Sequence, residues 1–279
     1  GVKIIGVTGT RGKSTVAHLI FHILKSAGKR TILGGNVLGV SNLQFLSQAH
    51  ELDFAVLELD SWQLQGFGES KISPYVSVFT TFFPDHVNYY GPELKRYFAD
   101  KAFIFSNQKA GDILVAGKQA LPFIKKWGGP LKSTLVMPHV SLSKGFSTHL
   151  PGKHNEYNVS IAVAAARVLG IRDKIIKKAL ISFPGVPYRL ELIRTINGIK
   201  FYNDTTATTP EATIAALLAL GAGKKNKKII LIIGGADKGL DMNELSRHLK
   251  KLKGVILFLK GTGTKKFKDD NPKLKNVAE

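Results

Sequence analysis

A glycine-rich segment near the start of the chain has the residue types of a phosphate-binding loop. Positions 6 to 15 read GVTGTRGKST and lie between a short apolar run and a helical pattern. Glycines let backbone N–H groups close on phosphate oxygens, and the N-terminus of the following helix favours an anion. In such a loop Lys13 can reach the terminal phosphates and the Ser14 hydroxyl can bind Mg²⁺. The glycine spacing is unusual, because Val7 stands where the common loop has its first glycine.

Two further residue groups have types and positions suited to nucleotide chemistry. Glu58 ends an apolar run, and a carboxylate at the end of a buried strand beside a triphosphate is a natural Mg²⁺ ligand or water-orienting group. Asn155 and Asn158 are three residues apart, so that on a helix they share one face. Their amides could hold adenine or a neighbouring group.

The elements that must position these residues alternate between strand and helix patterns. The predicted strands lie at 2–7, 54–59, 76–82, 112–117, 228–235 and 254–261. The predicted helices lie at 14–28, 91–107, 156–170, 173–183, 209–220 and 242–252. Strands separated by helices predict an α/β fold with a mostly parallel sheet and right-handed crossovers.

The segment FPGVPYRLE at 183–191 interrupts this alternation with two prolines and a glycine. Such a segment between a helix and a strand is typical of a domain boundary. We therefore predict two domains, 1–184 and 185–279. The second opens with a hairpin across Asn197-Gly198, a pair suited to a two-residue turn, and then returns to strand and helix patterns.

The composition is that of a globular protein. The chain has 279 residues, is 44% hydrophobic and 22% charged, and contains no cysteine. The lack of cysteine excludes disulfides, thiolate zinc sites and cysteine nucleophiles, and it fits a reducing compartment. The sequence has no signal-peptide pattern and no apolar run long enough to span a bilayer. We therefore expect a cytoplasmic protein without a membrane partner.

The strongly basic charge balance has two interpretations. The 40 basic and 20 acidic residues give a net charge of +20, which is often found in proteins that bind nucleic acid. The excess is spread over both halves, and the one dense cluster, KKNKK at 224–228, precedes an apolar run and is typical of a solvated loop. Phosphorylated, acidic small molecules suit this charge equally well, so we predict no nucleic-acid partner.

The segment TGTRGKST at 8–15 resembles the T-G-T-x-G-K-[ST] loop of the Mur ligases, the ATP-dependent ligases that build the peptide stem of peptidoglycan. Folylpolyglutamate and cyanophycin synthetases carry related loops. The resemblance implies a P-loop central ATPase domain followed by a Rossmann-like C-terminal α/β domain. The ATP-binding residues it implies in the loop are Gly9, Thr10, Gly12, Lys13, Ser14 and Thr15, with Lys13 also catalytic.

Later segments of the first half resemble the same family, in the family's order. They are VLELDSWQL at 56–64, FPDHVNYYG at 83–91 and PGKHNEYNVSIAVAAA at 151–166. The resemblance implies two Mg²⁺ ions held by Ser14, Glu58, His86 and Lys101, with His86 and a CO₂-carbamylated Lys101 also catalytic. It implies nucleotide binding by Asn155 and Asn158. Asp60 departs from the family pattern, which has serine there.

A short loop and a glutamine are implied substrate contacts. GGNVLG at 34–39 resembles the family's substrate loop, with one extra residue. The resemblance implies that Asn36 and Gln63 contact the muramoyl substrate.

Two segments after the predicted boundary resemble the nucleotide-binding part of the Mur C-terminal domain. YRLE at 188–191 implies that Arg189 contacts the phosphates when the domains close. YNDTTATTPEAT at 202–213 most resembles the segment of the D-glutamate-adding member of the family, and it implies that Asp204 binds the ATP ribose. Thr206 and Thr209 depart from the family, which has lysine and asparagine at these positions.

A third segment implies the site for the incoming amino acid. IIGGADKGLDMNEL at 232–245 resembles the D-glutamate-adding member of the family. The resemblance implies that Lys238 pairs with the carboxylate of that amino acid and that Thr208 is also a substrate contact. The last two segments favour this member over its relatives.

The implied reaction is an ATP-dependent amide-bond ligation. D-glutamate would be added to UDP-N-acetylmuramoyl-L-alanine through an acyl phosphate, in peptidoglycan precursor synthesis, by a protein that we expect to be a monomer. The sequence lacks a counterpart of the family's N-terminal UDP-binding domain, and its C-terminal domain is short. We expect either a cut chain or a pared-down relative.

Three alternatives remain open at this point. The first is a related ligase of the folylpolyglutamate or cyanophycin type. The second is a non-catalytic nucleotide-binding remnant, which the departures at 60, 206 and 209 would fit. The third is a nucleic-acid binder, suggested by the net charge of +20, which would show steeply salt-dependent affinity.

Overall fold

The fold is taken from a computed structural model of the chain. It describes residues 1–138, 150–222, 228–275 and 277–278, so that most of the basic cluster at 224–228 lies outside the described residues. The chain divides into two compact units. Unit 1 comprises Gly1–Leu150 and His154–Pro184, and unit 2 comprises Pro151–Lys153 and Gly185–Glu279.

Unit 1 is built on a parallel sheet of six strands in the order β2-β3-β1-β4-β5-β6. The strands are β1 Lys3–Thr8, β2 Thr31–Gly35, β3 Phe54–Glu58, β4 Val76–Phe79, β5 Ile113–Ala116 and β6 Thr134–Val136. The central strand β1 pairs with β3 on one side and β4 on the other. Sheets of this kind bind ligands beyond the carboxyl ends of strands where the strand order reverses, and the glycine-rich segment follows β1 at this edge.

Unit 1 has seven helices within the described residues, of which the first five lie between these strands in the chain and the last two follow β6. They are α1 Lys13–Ser26, α2 Ser61–Glu69, α3 Val87–Tyr90, α4 Leu94–Ser106, α5 Leu121–Trp127, α6 Lys153–Val168 and α7 Asp173–Ser182, with a 3₁₀ segment at Asn42–Glu51. Helix α1 packs against α7, and α2 packs against α4. Apolar residues of α1 at helical spacing, including Val16, Ile20 and Ile23, are fully buried, as the sequence pattern predicted.

Aromatic residues dominate one part of the core of unit 1. Phe79 at the end of β4 stacks on Phe98 of α4, and Phe82 stacks on Tyr97, the residue before Phe98 in that helix. All four rings are at most 1% exposed. Aromatic pairs in such offset or edge-on arrangements add to the free energy of burial. This packing fixes α4 against the segment that follows β4.

Unit 2 combines a small parallel sheet with a separate hairpin. The sheet has the order β11-β10-β9, with β9 Ile229–Ile233, β10 Gly254–Phe258 and β11 Val277–Ala278. The hairpin pairs β7 Glu191–Ile196 with β8 Ile199–Asn203. Its turn residues Asn197 and Gly198 have φ of 49° and 80°, the left-handed conformation that this pair predicted. The helices are α8 Pro210–Ala219, α9 Asn243–Lys250 and α10 Thr262–Asp270.

The predicted α/β class with a mostly parallel sheet is confirmed.

The core of unit 2 is formed by buried side chains of α8, α9, α10 and β10, among them Leu217, Leu249, Ile256 and Phe267. Within the described ranges, none of the helices has the length and apolar character needed to cross a bilayer.

Candidate active site

The unusual glycine spacing of the loop after β1 has a structural reason. Val7 is fully buried in the central strand, so no glycine is needed there. Gly9 and Gly12 have φ of 142° and 88°, and Gly12 is the residue from which α1 begins. A Cβ on Gly12 would lie 2.5 Å from Oδ1 of Asn158, and a Cβ on Gly9 would collide with the hydroxyl of Thr80. Both positions therefore require glycine.

The loop is fixed to the segment that follows β4. The backbone N–H of Thr10 donates to the carbonyl of Thr81 at 2.8 Å, and that of Arg11 donates to the Thr81 hydroxyl at 2.9 Å. The hydroxyls of Thr80 and Thr81 donate to the carbonyl of Arg11 at 2.7 and 3.0 Å. The Thr10 hydroxyl accepts from the N–H of Phe83 at 2.9 Å. These contacts hold the loop in shape. The N–H groups of the first turn of α1 follow directly after it in the chain.

Sequence reasoning missed Thr80 and Thr81 as supports of the loop. Two threonines at the end of an apolar run were the available signal, because their hydroxyls had to find partners at the edge of the sheet. Tyr157 of α6 also contributes, since its hydroxyl donates to the carbonyl of Thr80 at 3.1 Å.

Two predicted metal ligands lie side by side. Ser14 Oγ, in the first turn of α1, donates to Glu58 Oε1 at 3.1 Å. Glu58 ends β3, the neighbour of β1, and is 4% exposed. Lys13 Nζ lies 3.3 Å from the carbonyl of Thr10, folded back along the loop. Hydroxyl and carboxylate oxygens are the donors that Mg²⁺ prefers, so this pair fits one ion.

The described side chains of unit 1 do not form a complete metal cage. Among the described residues, no three His, Cys, Asp or Glu side chains are grouped closely enough to hold a metal ion. Mg²⁺ commonly keeps several waters and binds through one or two carboxylates together with substrate phosphates. The donor set of Ser14 and Glu58 is therefore suited to an ion that arrives with a nucleotide.

Lys101 is a buried lysine next to Thr8, the last residue of β1 before the glycine loop. Its side chain is 1% exposed, and Nζ lies 3.5 Å from the Thr8 hydroxyl and 4.8 Å from the centre of the Tyr97 ring. Burial, with a further contribution from the nearby charge of Lys13, lowers the pKa of Lys101 from 10.5 to about 7. The carboxylates that oppose this shift are those of Asp60, Asp85 and Asp100. With this pKa about half of the amine is neutral at pH 7, and the neutral form is the nucleophile that CO₂ requires.

His86 also lies next to Tyr97. Its ring is edge-on to Trp62 at 4.7 Å and to Tyr97 at 5.8 Å between ring centres. Its φ of 52° is uncommon for a residue other than glycine, and such conformations occur at functional sites that the surroundings hold in place. Lys101 and His86 therefore share Tyr97 as a neighbour, so that the structure brings these two predicted residues into one region.

The two predicted asparagines support the loop. Asn158 Nδ2 donates to Asn155 Oδ1 at 3.2 Å, and both side chains are buried on α6. Asn158 Oδ1 faces the backbone of Gly12. The shared helical face predicted from their spacing places Asn158 against the phosphate loop. Contact of either amide with adenine stays a prediction.

The predicted substrate contacts Asn36 and Gln63 lie at the same edge of the sheet. The N–H of Asn36 donates to the carbonyl of Glu58 at 2.7 Å, and its side chain is exposed. Asp60, the departure from the family pattern, caps α2: its Oδ1 accepts from the N–H of Gln63 at 2.8 Å, and Gln63 Oε1 accepts from the N–H of Asp60 at 3.1 Å. The oxygen of Gln63 is thus engaged in a capping box.

The residues predicted in unit 2 fall into two groups. Asp204 Oδ1 accepts from the N–H of Leu190 at 2.8 Å, next to the exposed Arg189. Thr208 and Lys238 line one cavity of about 250 Å³, which extends from the end of β9 over the apolar side chains of the unit 2 core. The structure therefore brings the two predicted amino-acid contacts together.

The comparisons with known proteins cover most of the chain. The Mur ligase middle domain matches residues 7–134, and the Mur ligase glutamate ligase domain matches residues 188–278. A UDP-N-acetylmuramoylalanine–D-glutamate ligase of Roseiflexus sp. (strain RS-1) is 33% identical over 95% of this chain and 62% of its own length. A UDP-N-acetylmuramoyl-L-alanine–L-glutamate ligase of Xanthomonas euvesicatoria pv. vesicatoria (strain 85-10) is 32% identical over 89% of this chain and 54% of its own length.

Solved structures share the fold. MurF from Acinetobacter baumannii superposes with a TM-score of 0.75 at 19% identity, over 99% of this chain and 67% of that one. Folylpolyglutamate synthase of Mycobacterium tuberculosis, solved with ADP and AMPPCP, gives a TM-score of 0.67 at 15% identity, over 92% of this chain and 75% of that one.

The chain spans about three fifths of the length of the curated relatives it matches. Within that span, the two domain matches follow one another in order, and the relatives are about 33% identical. The chain belongs to the Mur ligase family and contains its middle domain and its glutamate ligase domain.

Proposed function

We propose that this chain forms the ATP-binding and amino-acid-binding parts of a ligase that adds D-glutamate to UDP-N-acetylmuramoyl-L-alanine. The observation that carries the proposal is that Ser14 bonds to Glu58 beside the glycine loop after β1, with the buried Lys101 next to Thr8 at the end of that strand. The names of the relatives supply the substrates, because seven relatives that are 32–35% identical to the chain are named as D-glutamate ligases.

The proposed reaction has two steps. The terminal phosphoryl group of ATP passes to the carboxylate of the L-alanine residue, giving an acyl phosphate and ADP. The amine of D-glutamate then attacks the acyl carbon, an amide bond forms, and phosphate leaves with the electron pair of the broken C–O bond. Catalysis of such transfers depends chiefly on positioning and on neutralising charge.

The loop residues would bind the triphosphate. The N–H groups of the first turn of α1, from Gly12 to Thr15, face the phosphates, and Lys13 swings from the Thr10 carbonyl to the terminal phosphate. The N–H of Thr10 is bound to Thr81, so this group would shape the loop, and contact of Gly9 and of the rest of Thr10 with the phosphates stays a prediction. Asn158 packs against Gly12 and so supports the loop.

Two Mg²⁺ ions would neutralise the charge that develops on the transferred phosphoryl oxygens. Ser14 and Glu58 would hold one ion, and His86 with a carbamylated Lys101 would hold the other. The carbamate is favoured by the pKa of Lys101, because an amine that is neutral near pH 7 reacts with CO₂ without first losing a proton. This reaction would turn the neutral amine into a carbamate anion and release one proton.

Unit 2 would supply the amino-acid site and further nucleotide contacts. Lys238 would pair with a carboxylate of D-glutamate, and Thr208 would hydrogen-bond to the same molecule in the cavity they line. Arg189 would contact the phosphates and Asp204 the ribose. Asn36 and Gln63 would contact the muramoyl substrate from unit 1.

A related ligase is the second candidate, favoured by the likeness of the fold to folylpolyglutamate synthase. Phosphate release from Mg²⁺-ATP, measured with each acceptor and amino acid in turn, separates the candidates. The proposal predicts release only when UDP-N-acetylmuramoyl-L-alanine, D-glutamate and Mg²⁺ are all present. Release with a pteroate acceptor and L-glutamate would support the related ligase. ATP binding without any amino-acid-dependent release would indicate a non-catalytic remnant.

A further inference from the structure

The turn that carries Arg189 has an unusual backbone. Tyr188 and Leu190, on either side of the arginine, have φ of 62° and 45°. Neither is glycine, and side chains at positive φ are disfavoured unless the surroundings hold the backbone in place. The backbone of this turn must therefore be restrained by its neighbours.

Each backbone N–H of the turn has a partner. The N–H of Tyr188 donates to Glu191 Oε2 at 2.7 Å, and the N–H of Leu190 donates to Asp204 Oδ1 at 2.8 Å. The N–H of Arg189 donates to the carbonyl of Val186 at 3.2 Å. Two carboxylates thus hold the two residues with positive φ.

Thr206 holds a carbonyl of the turn. Its hydroxyl donates to the carbonyl of Tyr188 at 2.8 Å, and its backbone N–H donates to the same oxygen at 3.1 Å. The side chain of Thr206 is exposed, so it contributes little to the core. The contact that its hydroxyl makes is with the carbonyl of Tyr188, the residue before Arg189.

The side chain that this turn carries is a solvent-exposed cation. The side chain is exposed, and in the described part of the chain it forms no ion pair. A turn fixed at Tyr188 and Leu190 limits the directions that this cation can take. Fixing a charged group before its ligand arrives lowers the entropy lost on binding.

We propose that Thr206 is a positioning residue for Arg189. Its hydroxyl holds the Tyr188 carbonyl and so orients the arginine toward an anionic ligand, without touching that ligand itself. The inference rests on the proposed function for the identity of the anion, a nucleotide phosphate. Thr206 stands where the family pattern has lysine, so the turn is restrained here by a neutral hydroxyl.

The test uses Mg²⁺-ATP affinity of the 279-residue chain. Thr206→Val keeps the shape of the side chain and removes the hydroxyl, and we expect it to weaken binding on the order of threefold to tenfold, the range for one hydrogen bond. Thr206→Ser restores the donor and should bind as the wild type does. Thr195→Val, on an exposed position of β7, is the matched control and should leave affinity unchanged.

A double-mutant cycle separates positioning from direct contact. In the Arg189→Ala background, Thr206→Val should cause no further loss. An additional loss there of the same size as in the wild type would overturn the inference, because Thr206 would then act independently of the arginine. Equal affinity of Thr206→Val and wild type would overturn it as well.

Hydrogen exchange provides a readout that does not need a ligand. Thr206→Val should speed exchange in the peptide that spans 186–192, and Thr206→Ser should not. Unchanged exchange would overturn the proposed restraint whatever the ligand. A wild-type chain that fails to bind ATP would instead overturn the proposed function, while the exchange experiment would still decide whether Thr206 holds the turn.

Discussion

Lys101→Met removes the amine that makes the stability of unit 1 depend on pH. The folded chain lowers the pKa of Lys101 from 10.5 to about 7, mainly by burial. Between these two values the unfolded chain binds a proton that the folded chain does not bind. The free energy of unfolding therefore rises with pH across this window in the wild type. The methionine variant has no such group and should lack this rise.

The size of the effect follows from the shift in pKa. Each pH unit contributes about 1.4 kcal/mol while the two states differ by one proton. From pH 7 to 10.5 the wild type should therefore gain about 4 kcal/mol from this group. The methionine variant should be the more stable protein at pH 7, by a similar amount, and its advantage should shrink as pH rises.

Tyrosines set the upper end of the useful pH range. Burial raises the pKa of Tyr97 and, to about 12, that of Tyr90. Above pH 10 the unfolded chain loses tyrosine protons that the folded chain keeps, so stability falls again. Measurements between pH 7 and pH 9.5 therefore isolate the contribution of Lys101.

The assay is urea unfolding followed by tryptophan fluorescence. The two tryptophans, Trp62 and Trp127, both lie in unit 1, so the signal reports that unit. Buffers must be free of CO₂, because a carbamate would replace the amine. Lys95→Met, at an exposed position of the same helix α4, is the matched control and should keep the pH dependence of the wild type. Equal pH dependence in Lys101→Met and the wild type would refute a buried, neutral amine.

Three further changes test the loop and its surroundings. Gly12→Ala places a Cβ 2.5 Å from Asn158 Oδ1 at a φ of 88°, so calorimetry should detect no ATP binding; normal binding would contradict the close packing of the loop. Thr81→Val removes the hydroxyl that bonds to the N–H and carbonyl of Arg11, and ATP affinity should fall about tenfold, whereas an unchanged affinity would argue against a preformed loop. Glu58→Gln should raise the Mg²⁺ concentration needed for half-maximal ATP binding, and an unaltered Mg²⁺ titration would exclude Glu58 as a ligand.

The sequence predicts the fold well because its signals are local. Buried parallel strands appear as apolar runs such as 76–82, and helices such as α1 have apolar residues at helical spacing. The Asn197-Gly198 turn was predictable for the same reason, since few residue pairs adopt its backbone. The observed ends of helices and strands differ from the predicted ends by a few residues. Capping contacts decide where an element ends, and these contacts involve residues from elsewhere in the chain.

The site was only partly predictable. Lys13, Ser14 and Glu58 could be named, because their types and positions fit phosphate and Mg²⁺ chemistry. The residues that hold the loop in place could not be named from the sequence, because they act through contacts between distant segments, such as that of Thr81 with Arg11. The same holds for Asp60, whose replacement of a family serine is explained by the cap it forms on α2.

The most direct test of the account is calorimetry of Mg²⁺-ATP with the wild-type chain and with Lys13→Ala. The account predicts saturable, Mg²⁺-dependent binding at one site in the wild type and a loss of at least about tenfold in the variant, since a charged contact to phosphate is removed. Equal affinity in the two proteins, or no binding by a folded wild-type chain, would contradict an ATP site in the loop after β1.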